Sequence, residues 1–479
     1  MRQHCFVASD GRWYVAWDTD IMAQELIISV SGMRGIIGEN LTPALAAEYG
    51  CAFGSFLSDR VGADGRRPSV CVGRDSRGSG PMLASAVMAG LCSVGVDAID
   101  LGLVTTPGVG VMLRHLGCAG GIMITASHNP LPYNGIKLIL DNGVAPPPQT
   151  AAQIRQCFFD KQFRFVTSPQ CGRVVANPET DRIHVEKVLA AVPSQQIAPR
   201  RYRIVLDSVN GAGAPVAKKL LAEFGCEVVA MNDEPTGLFA HEPEPIAANL
   251  GGFCERVRQA GADAGFAQDP DADRLAIVDE NGLYIGEEYT LALAAKCVYS
   301  GRSGTAAANL STSRMIDDVA ASAGGRVIRT PVGEANVANA MLENDCVIGG
   351  EGNGGVIDLR VGPIRDSLVA MALVLQLMVE TGQTISQLVR QIGGYVMVKD
   401  KFAADASQAE RIIDLTRQRF PDAVPNDSDG CRLDFDDGWL HLRTSNTEPV
   451  MRLIVEASNE AAVRRYVKAV SAIREAVLR

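Results

Sequence analysis

A strand pattern, a polar or glycine-rich turn and a helix pattern follow one another through most of this chain, and the cycle starts again twice. RPSVCVGRD reads as a buried strand running into a polar turn. GPMLASAVMAGLCSVG reads as a helix, DAIDLGL as a strand, TTPGVGVMLRHLG as a helix and GGIMITAS as a strand. Such alternation predicts mostly parallel sheets covered by helices. A second round begins at RYRIVLDSVNGAGAPVAKKLLAEFG, followed by the strand CEVVAMN. A third begins at TAAANLSTSRMIDDVAASAGG and RVIRTPVG. The rounds share grammar rather than sequence identity, and they predict three related α/β domains. Upstream, MAQELIISVSGMRG reads as a first strand from Met22.

The C-terminal part follows another pattern. ASQAERIIDLTRQRF is a helix, CRLDFDDGWLHLRTS two strands around an Asp-Gly turn, and MRLIVEAS a further strand. The closing helix carries Val463, Tyr466, Val467, Val470, Ile473 and Val477 on one face. This is an α+β module. At roughly 100–200 residues per domain, 479 residues hold three or four. The expected boundaries are an extension over 1–21, then domains over 22–172, 173–283, 284–395 and 396–479, arranged around a central cleft.

Composition narrows the class. The formal net charge is −10, which argues against a broad basic patch for nucleic acid. Anions must then be bound by local arginines and backbone amides. The chain contains no run of 18 or more apolar residues, so no membrane span is expected. Its 12 cysteines form no CxxC pair and read as reduced thiols of a cytoplasmic protein. Residues 1–21 hold two of the three tryptophans, show no helical period and lack the apolar core of a signal peptide. They read as a loosely packed extension, which start-codon choice could account for.

Four stretches could carry chemistry. In ITASHNPLPYNGIKL (124–138), Ser127 lies at the C-terminal end of a buried strand, where ligands of open α/β sheets sit. It could be attacked or phosphorylated. His128 is its neighbour, and a Ser–His dyad forms less naturally from neighbours than from distant residues. No GxSxG elbow surrounds it. A plain Ser/Asn/Pro turn fits the local residues as well. In AQDPDADRLAIVD (267–279), Asp269, Asp271 and Asp273 alternate directly before a buried strand. Converging carboxylates suit Mg²⁺. An EF-hand is rejected, because Arg274 stands where its glycine belongs and LAIVD is a strand rather than a helix. A solvated acidic turn is the weaker reading.

VIGGEGNGGVI (347–357) sets Glu351 and Asn353 among five glycines. Glycine lets a ligand approach the backbone, and a carboxylate with an amide can read sugar hydroxyls. A loop without function fits equally. LRTSNTEPVMRL (442–453) concentrates donors at Arg443, Thr444, Ser445, Asn446 and Thr447. An arginine fork, hydroxyls and amides can cradle phosphate, or the same residues can form an ordinary turn. Arg452 is either a second phosphate ligand or a solvated strand residue. Together the four stretches describe a strand-end serine, a metal site, a hydroxyl reader and a phosphate clamp, a set that fits the handling of a phosphorylated sugar.

SGMRG (31–35), TASHNPLPYNGIKL (125–138), DPDADR (269–274), GEGNGG (350–355) and RTSNTEP (443–449) occur in the order and spacing of a known family. From Met22 onward the chain resembles the α-D-phosphohexomutases, which include phosphoglucomutases, phosphomannomutases and phosphoglucosamine mutases. The resemblance implies that Ser127 carries a phosphoryl group and that Asp269, Asp271, Asp273 and a phosphoserine oxygen bind one Mg²⁺ per chain. Lys137 and Arg34 would lie at the transfer centre, with Lys137, delivered across an Asn134-Gly135 turn, the general acid/base, its pKa lowered towards neutrality. His128 and Asn129 would hold the substrate beside them, and Arg274 would sit next to the metal. Glu351 and Asn353 would read sugar hydroxyls. Arg443, Ser445, Asn446 and Thr447 would grip the phosphate that is not transferred.

The implied reaction interconverts hexose 6-phosphate and hexose 1-phosphate through a hexose 1,6-bisphosphate, which also serves as activator. The implied partner is a small phosphosugar, in a monomer or homodimer. The metal loop departs from the commoner DGDGDR, with Pro270 and Ala272 expected to stiffen it. The sugar loop reads GEGNGG rather than GEMSGH or GEQSGH, a form that resembles archaeal-type members. Glu334, in RTPVGEAN, stands where other members carry different polar residues. The reading leans to glucosamine phosphate, because Glu334 or Glu351 could meet an ammonium at C2. A Mg²⁺-dependent sugar-phosphate phosphatase and a non-catalytic phosphosugar-binding protein remain as rivals.

Overall fold

The computed structural model of the chain describes residues 3–7, 13–17, 26–29, 32–61, 67–444 and 450–478. In the N-terminal segment, Gln3–Val7 and Trp13–Trp17 pair as antiparallel strands. The stretch after Met22 forms two short strands rather than one. Ile27–Ser29 turns back onto Gly32–Ile36. Gly32 has φ +104°, and a Cβ there would lie 2.1 Å from the Ile136 carbonyl oxygen, so only glycine fits the turn.

Three sheets repeat one pattern. The second runs Glu227–Met231, Arg203–Asp207, Ala264–Gln268, Leu275–Val278, with two parallel pairings and a final antiparallel one. The third runs Arg326–Thr330, Thr305–Asn309, Ile348–Glu351, Gly355–Ile357 with the same polarity. The first sheet contains the same four positions as Asp97–Leu103, Ser69–Arg74, Gly120–Ile124 and Tyr133–Leu140. It is extended by the strands before the first helix and by Val174–Ala176, which pairs with Asp97–Leu103. In each sheet the connection into the antiparallel strand carries a motif: Ser127, the three aspartates, or the Gly-rich turn after Glu351. This common placement follows from the repeated topology.

The three α/β units share a contiguous apolar core that includes Met112, Leu220, Ala308 and Leu373. Helix Ser367–Thr381 lies in it, with eleven residues from Ser367 to Met378 buried. A helix apolar on all sides belongs in such a core. Asp366 caps its start by accepting from Leu368 N at 2.9 Å, and Gly382 ends it in the left-handed region. No single described helix is long and apolar enough to cross a membrane.

The fourth unit is an antiparallel sheet ordered Val396–Ala403, Val450–Ala457, Gly438–Thr444, Cys431–Phe435, Val424–Asn426. Two helices, Ala406–Arg419 and Glu460–Leu478, pack on it. The closing helix buries Val463, Tyr466 and Val470, with Val467, Ile473 and Val477 partly buried beside them. The expected Asp-Gly turn differs by one residue. Asp436 and Asp437 make the turn, and Gly438 already pairs with Phe435. A Cβ on Gly438 would meet the Glu456 carbonyl oxygen at 2.2 Å, so this glycine serves strand approach. Arg452 is exposed.

Candidate active site

Strand Gly120–Ile124 is buried throughout and delivers Ser127 just beyond its end. Ser127 has φ +50°, a conformation that costs a non-glycine residue on the order of 1–3 kcal/mol. Its surroundings hold it there. The fully buried Arg77 donates to the carbonyls of Ser127 at 2.8 Å and Asn129 at 2.5 Å. Asp75 pairs with Arg77 and accepts from Thr125 Oγ1 at 2.7 Å. Thr125 Oγ1 accepts in turn from Ser127 N at 2.9 Å.

Ser127 Oγ donates to Asp269 Oδ2 at 3.2 Å and lies 3.3 Å from His128 Nδ1. The adjacent histidine therefore does reach the serine, contrary to the expectation for neighbours. The left-handed backbone at Ser127 permits it. Burial, then the charges of Arg274 and Arg34, push the His128 pKa down to about 2, so its ring is neutral. Arg34 donates to Asn129 Oδ1 at 2.8 Å.

Lys137 arrives by a different route from the one expected. Asn134 and Gly135 lie inside strand Tyr133–Leu140, not in a turn. A Cβ on Gly135 would stand 2.7 Å from Met33 O and 2.8 Å from Thr125 O, which explains the glycine. Strand register, with Met123 opposite Lys137, places the lysine.

The buried strand Ala264–Gln268 ends in the aspartate loop. Asp269, Asp271 and Asp273 are fully buried, and one oxygen from each falls within 4.8 Å of the others. Asp269 Oδ1 accepts from Asp273 N at 3.1 Å and Arg274 N at 3.2 Å. Asp271 Oδ2 accepts from Thr106 Oγ1 at 2.6 Å and Lys137 Nζ at 2.7 Å. Asp273 Oδ2 accepts from Arg365 at 2.6 Å. Asp271 Oδ1 and Asp273 Oδ1 are buried with no hydrogen-bond partner. Two orphaned carboxylate oxygens among oxygen donors fit a hard divalent cation. Ala272 sits at φ +56°, so it occupies a strained position that Ser367 secures by donating from Oγ to Ala272 O at 2.7 Å.

Burial and then its neighbours Asp273 and Asp271 hold the Asp269 carboxyl well above the usual range. Burial would also raise Asp271, but the Lys137 ammonium overcomes it and holds the pKa below the usual range. The expected lowering of Lys137 is not found. Burial acts in that direction, but Asp271 and Asp273 together hold its pKa above the ordinary value.

In the third unit, Glu351 ends strand Ile348–Glu351 and is buried. Its oxygens accept from Asn309 at 2.8 Å, Gly333 N at 3.3 Å, Arg365 at 2.7 Å and Asn353 at 3.4 Å. Glu334 opens helix Glu334–Glu343 and accepts from Arg365 N at 2.7 Å. Arg274 NH1 and His128 Nε2 both face Glu244, at 3.6 and 3.8 Å. In the fourth unit, Arg443 is buried and donates from Nε to Asp429 Oδ2 at 3.1 Å. That same oxygen accepts from Val332 N at 2.9 Å, beside the Glu334 loop. Ser445, Asn446 and Thr447 lie outside the described residues.

Ser127, His128, Lys137, Arg34, the three aspartates, Arg274 and Glu334 thus join one polar network, with Glu351 and Asn353 linked through Arg365. Sequence reading missed Arg77, Thr106, Glu244, Asn309, Arg365 and Asp429. The strand-end rule that drew attention to Ser127 applies equally to GRDSR and TTPG, and would have found Arg77 and Thr106. Arg365 carries no local signal.

Family models describing domains I, II, III and IV of phosphoglucomutase/phosphomannomutase match residues 26–165, 182–282, 286–395 and 395–473. A phosphoglucomutase/phosphomannomutase of Thermococcus kodakarensis is 39% identical over 442 residues, covering 91% of this chain and 96% of the relative. A probable phosphoglucosamine mutase of Methanopyrus kandleri is 37% identical, covering 91% and 94%. The crystal structure of a phosphoglucomutase/phosphomannomutase family protein from Burkholderia thailandensis matches with a TM-score of 0.83 at 28% identity, covering 94% of this chain and 97% of that one. The chain belongs to the phosphoglucomutase/phosphomannomutase family, the α-D-phosphohexomutases, and is an enzyme of the phosphomutase class.

Proposed function

We propose that the enzyme interconverts hexose 6-phosphate and hexose 1-phosphate through a phosphoserine at Ser127, with glucosamine phosphate as its preferred sugar. The observation that carries this reading is Ser127 Oγ at 3.2 Å from Asp269 Oδ2, beside an aspartate cluster with two unsatisfied oxygens. A hydrolase reading could use His128, 3.3 Å from the serine, as base, but it gives no role to the three buried carboxylates beside Oγ. A phosphate carrier needs instead a site that neutralises charge.

In the first half-reaction the phosphorus–Oγ bond breaks as a sugar hydroxyl attacks, leaving a bound 1,6-bisphosphate. The bisphosphate turns around, and its other phosphate returns to Ser127. Asp269, Asp271, Asp273 and a phosphoserine oxygen would hold one Mg²⁺. The ion supplies Lewis-acid stabilisation of charge on the phosphoryl oxygens. Lys137 acts as acid/base at the centre. Lys137, held charged by Asp271 and Asp273, donates to the departing Oγ and is recharged by the proton of the attacking sugar hydroxyl; the return step runs the same relay backwards, from Oγ to the departing sugar oxygen. Arg34 and Arg274 bring positive charge to the same place, and His128 and Asn129 hold substrate beside the serine. Glu351 and Asn353 read hydroxyls, and Glu334 or Glu351 meets the C2 ammonium. Arg443, with Ser445, Asn446 and Thr447, grips the distal phosphate. A fixed clamp of this kind can hold either end of the bisphosphate.

A coupled assay of the purified protein against glucosamine, glucose and mannose 1-phosphates, with Mg²⁺ and bisphosphate activator, tests this. Turnover of glucose or mannose phosphate at 100-fold higher kcat/KM, ~2.7 kcal/mol in transition-state terms, removes the glucosamine preference. Inorganic phosphate released in step with turnover would indicate a phosphatase instead.

A further inference from the structure

Arg365 is almost fully buried, and it is the side chain on which the sugar loop and the metal loop converge. NH1 donates to Glu351 Oε2 at 2.7 Å, NH2 to Asp273 Oδ2 at 2.6 Å, and the backbone N to Glu334 Oε1 at 2.7 Å. Nε lies 3.6 Å from Glu334 Oε1 and is buried without a hydrogen bond of its own. The next two residues are anchored. Asp366 caps its helix and pairs with His184 at 2.6 Å, and Ser367 binds Ala272 O. The guanidinium is thus held from its own backbone as well as by its partners.

The sugar loop is built to let it pass. A Cβ on Gly355 would stand 2.2 Å from Arg365 Cδ and 2.9 Å from its Cγ. Gly355 is the last residue of GEGNGG, where the related loops GEMSGH and GEQSGH carry histidine. Glycine at this position clears the space through which the arginine side chain reaches Glu351 and Asp273.

The consequence is an unequal pair of carboxylates. Glu351 has two short bonds, from Asn309 and Arg365, and two long ones, from Gly333 N and Asn353. A sugar hydroxyl can replace the long ones, while the carboxylate's charge is already met by the Arg365 guanidinium at 2.7 Å. Glu334 has one oxygen fixed by the Arg365 backbone. No donor among the described residues reaches its other oxygen, and its side chain is 26% exposed.

We infer that Arg365 is a specificity-determining positioning residue: it saturates Glu351 and aims Glu334, so that Glu334 alone receives the C2 ammonium of a hexosamine phosphate. The inference rests on the mutase reading above. It separates Glu334, which discriminates amino from neutral sugars, from Glu351, which binds both.

The test compares KM and kcat for glucosamine 6-phosphate and glucose 6-phosphate in the wild type, E334Q, E351Q, R365M, R365K and G355A. E334Q is expected to raise KM for the amino sugar at least 10-fold, with a smaller change for glucose phosphate; R365M keeps the backbone bond to Glu334 but unpairs Glu351 and Asp273, so it should change both sugars and narrow the difference between them. E351Q should weaken both sugars alike. R365K keeps the charge without the fork and should recover only part of the discrimination. G355A leaves every charge in place and displaces the guanidinium, so it should shift the ratio in the same direction as R365M, and it serves where R365M does not fold. An unchanged ratio in E334Q, or equal losses for both sugars in R365M and G355A, overturns the inference. So does a wild type that binds the amino sugar no better than glucose phosphate. A wild type that turns over no hexose phosphate overturns the mutase reading instead.

Discussion

Ser127 Oγ and Asp269 Oδ2 lie 3.2 Å apart although 142 residues separate them in the chain. The contact joins the first and second α/β units at equivalent ends of equivalent strands. It makes a sharp prediction for Ser127→Ala. The variant loses the phosphoryl acceptor, so kcat should fall by roughly 10³-fold or more. It also loses one buried hydroxyl hydrogen bond, worth about 1 kcal/mol, so the fold should survive. A mutase assay, a phosphoprotein mass measurement and calorimetric binding of hexose phosphate check the three parts. Full activity in this variant would remove the phosphoserine mechanism.

The aspartate cluster predicts a stability that depends on metal. Without a cation, three buried carboxylates repel and two of their oxygens go unsatisfied. Mg²⁺ at 100 times its Kd should stabilise the fold by about 2.7 kcal/mol through mass action. Chelation should lower Tm and abolish turnover together. Asp269→Asn relieves repulsion, so in chelator it should melt no lower than wild type, while losing most of the Mg²⁺ response. A thermal melt with and without Mg²⁺ reads both effects. A wild-type Tm insensitive to Mg²⁺ would count against a metal at this site.

The aspartates and the serine were legible because each motif is short and contiguous, and because a buried strand leads into it. The three-fold α/β pattern was legible for the same reason, since strand and helix periods are local. What escaped the sequence depends on residues that act at a distance. Arg365 lies in a stretch with no pattern of its own, and its meaning comes from Asp273, Glu334 and Glu351. Asn134-Gly135 read as a turn on composition, yet the strand Gly32–Ile36 pairs with it on one side and Thr125 N donates to Gly135 O at 3.0 Å on the other. The elevated pKa of Lys137 was hidden too, because it follows from two carboxylates far away in sequence.

Glu288 predicts a pH dependence. It is largely but not fully buried, its side chain 11% exposed, at the start of helix Glu287–Gly301, where it accepts from Ser313 N at 2.9 Å and from Lys399 at 3.1 Å. Burial pushes its carboxyl up to about 7, even against Lys399. Lys399 has a shorter bond to Glu287, at 2.5 Å, so Glu288 is the surplus charge. Between pH 7 and about 4.5 the folded chain holds this proton while the unfolded chain has released it. Stability therefore rises as pH falls through 7, by on the order of 2–3 kcal/mol. Glu288→Gln removes the titration and keeps an acceptor for Ser313. Its Tm should exceed that of wild type at pH 8, with the gap closing at pH 5.5. A constant gap would mean that Glu288 stays ionised throughout.

Asp429 predicts how the fourth unit communicates with the third. One of its oxygens accepts both Arg443 Nε, in the fourth unit, and Val332 N, in the third. His441 Nε2 lies 2.7 Å from its carbonyl, and Nδ1 of the same ring lies 3.0 Å from Ser311 Oγ. The arginine that would grip the distal phosphate is therefore oriented by a carboxylate that also touches the loop before Glu334. Asp429→Ala removes the carboxylate that pairs with the buried Arg443 among the described residues and cuts this link. KM for hexose phosphate should rise roughly 10-fold, the size of a lost charged hydrogen bond, with a smaller change in kcat. Asp429→Asn keeps an oxygen for Val332 but no charge for Arg443, and should fall between the two. Melting curves separate this from unfolding, because a clamp defect shows in KM while Tm stays within a few degrees. Equal losses in kcat and kcat/KM for both variants would place Asp429 in the transfer step and not in the clamp.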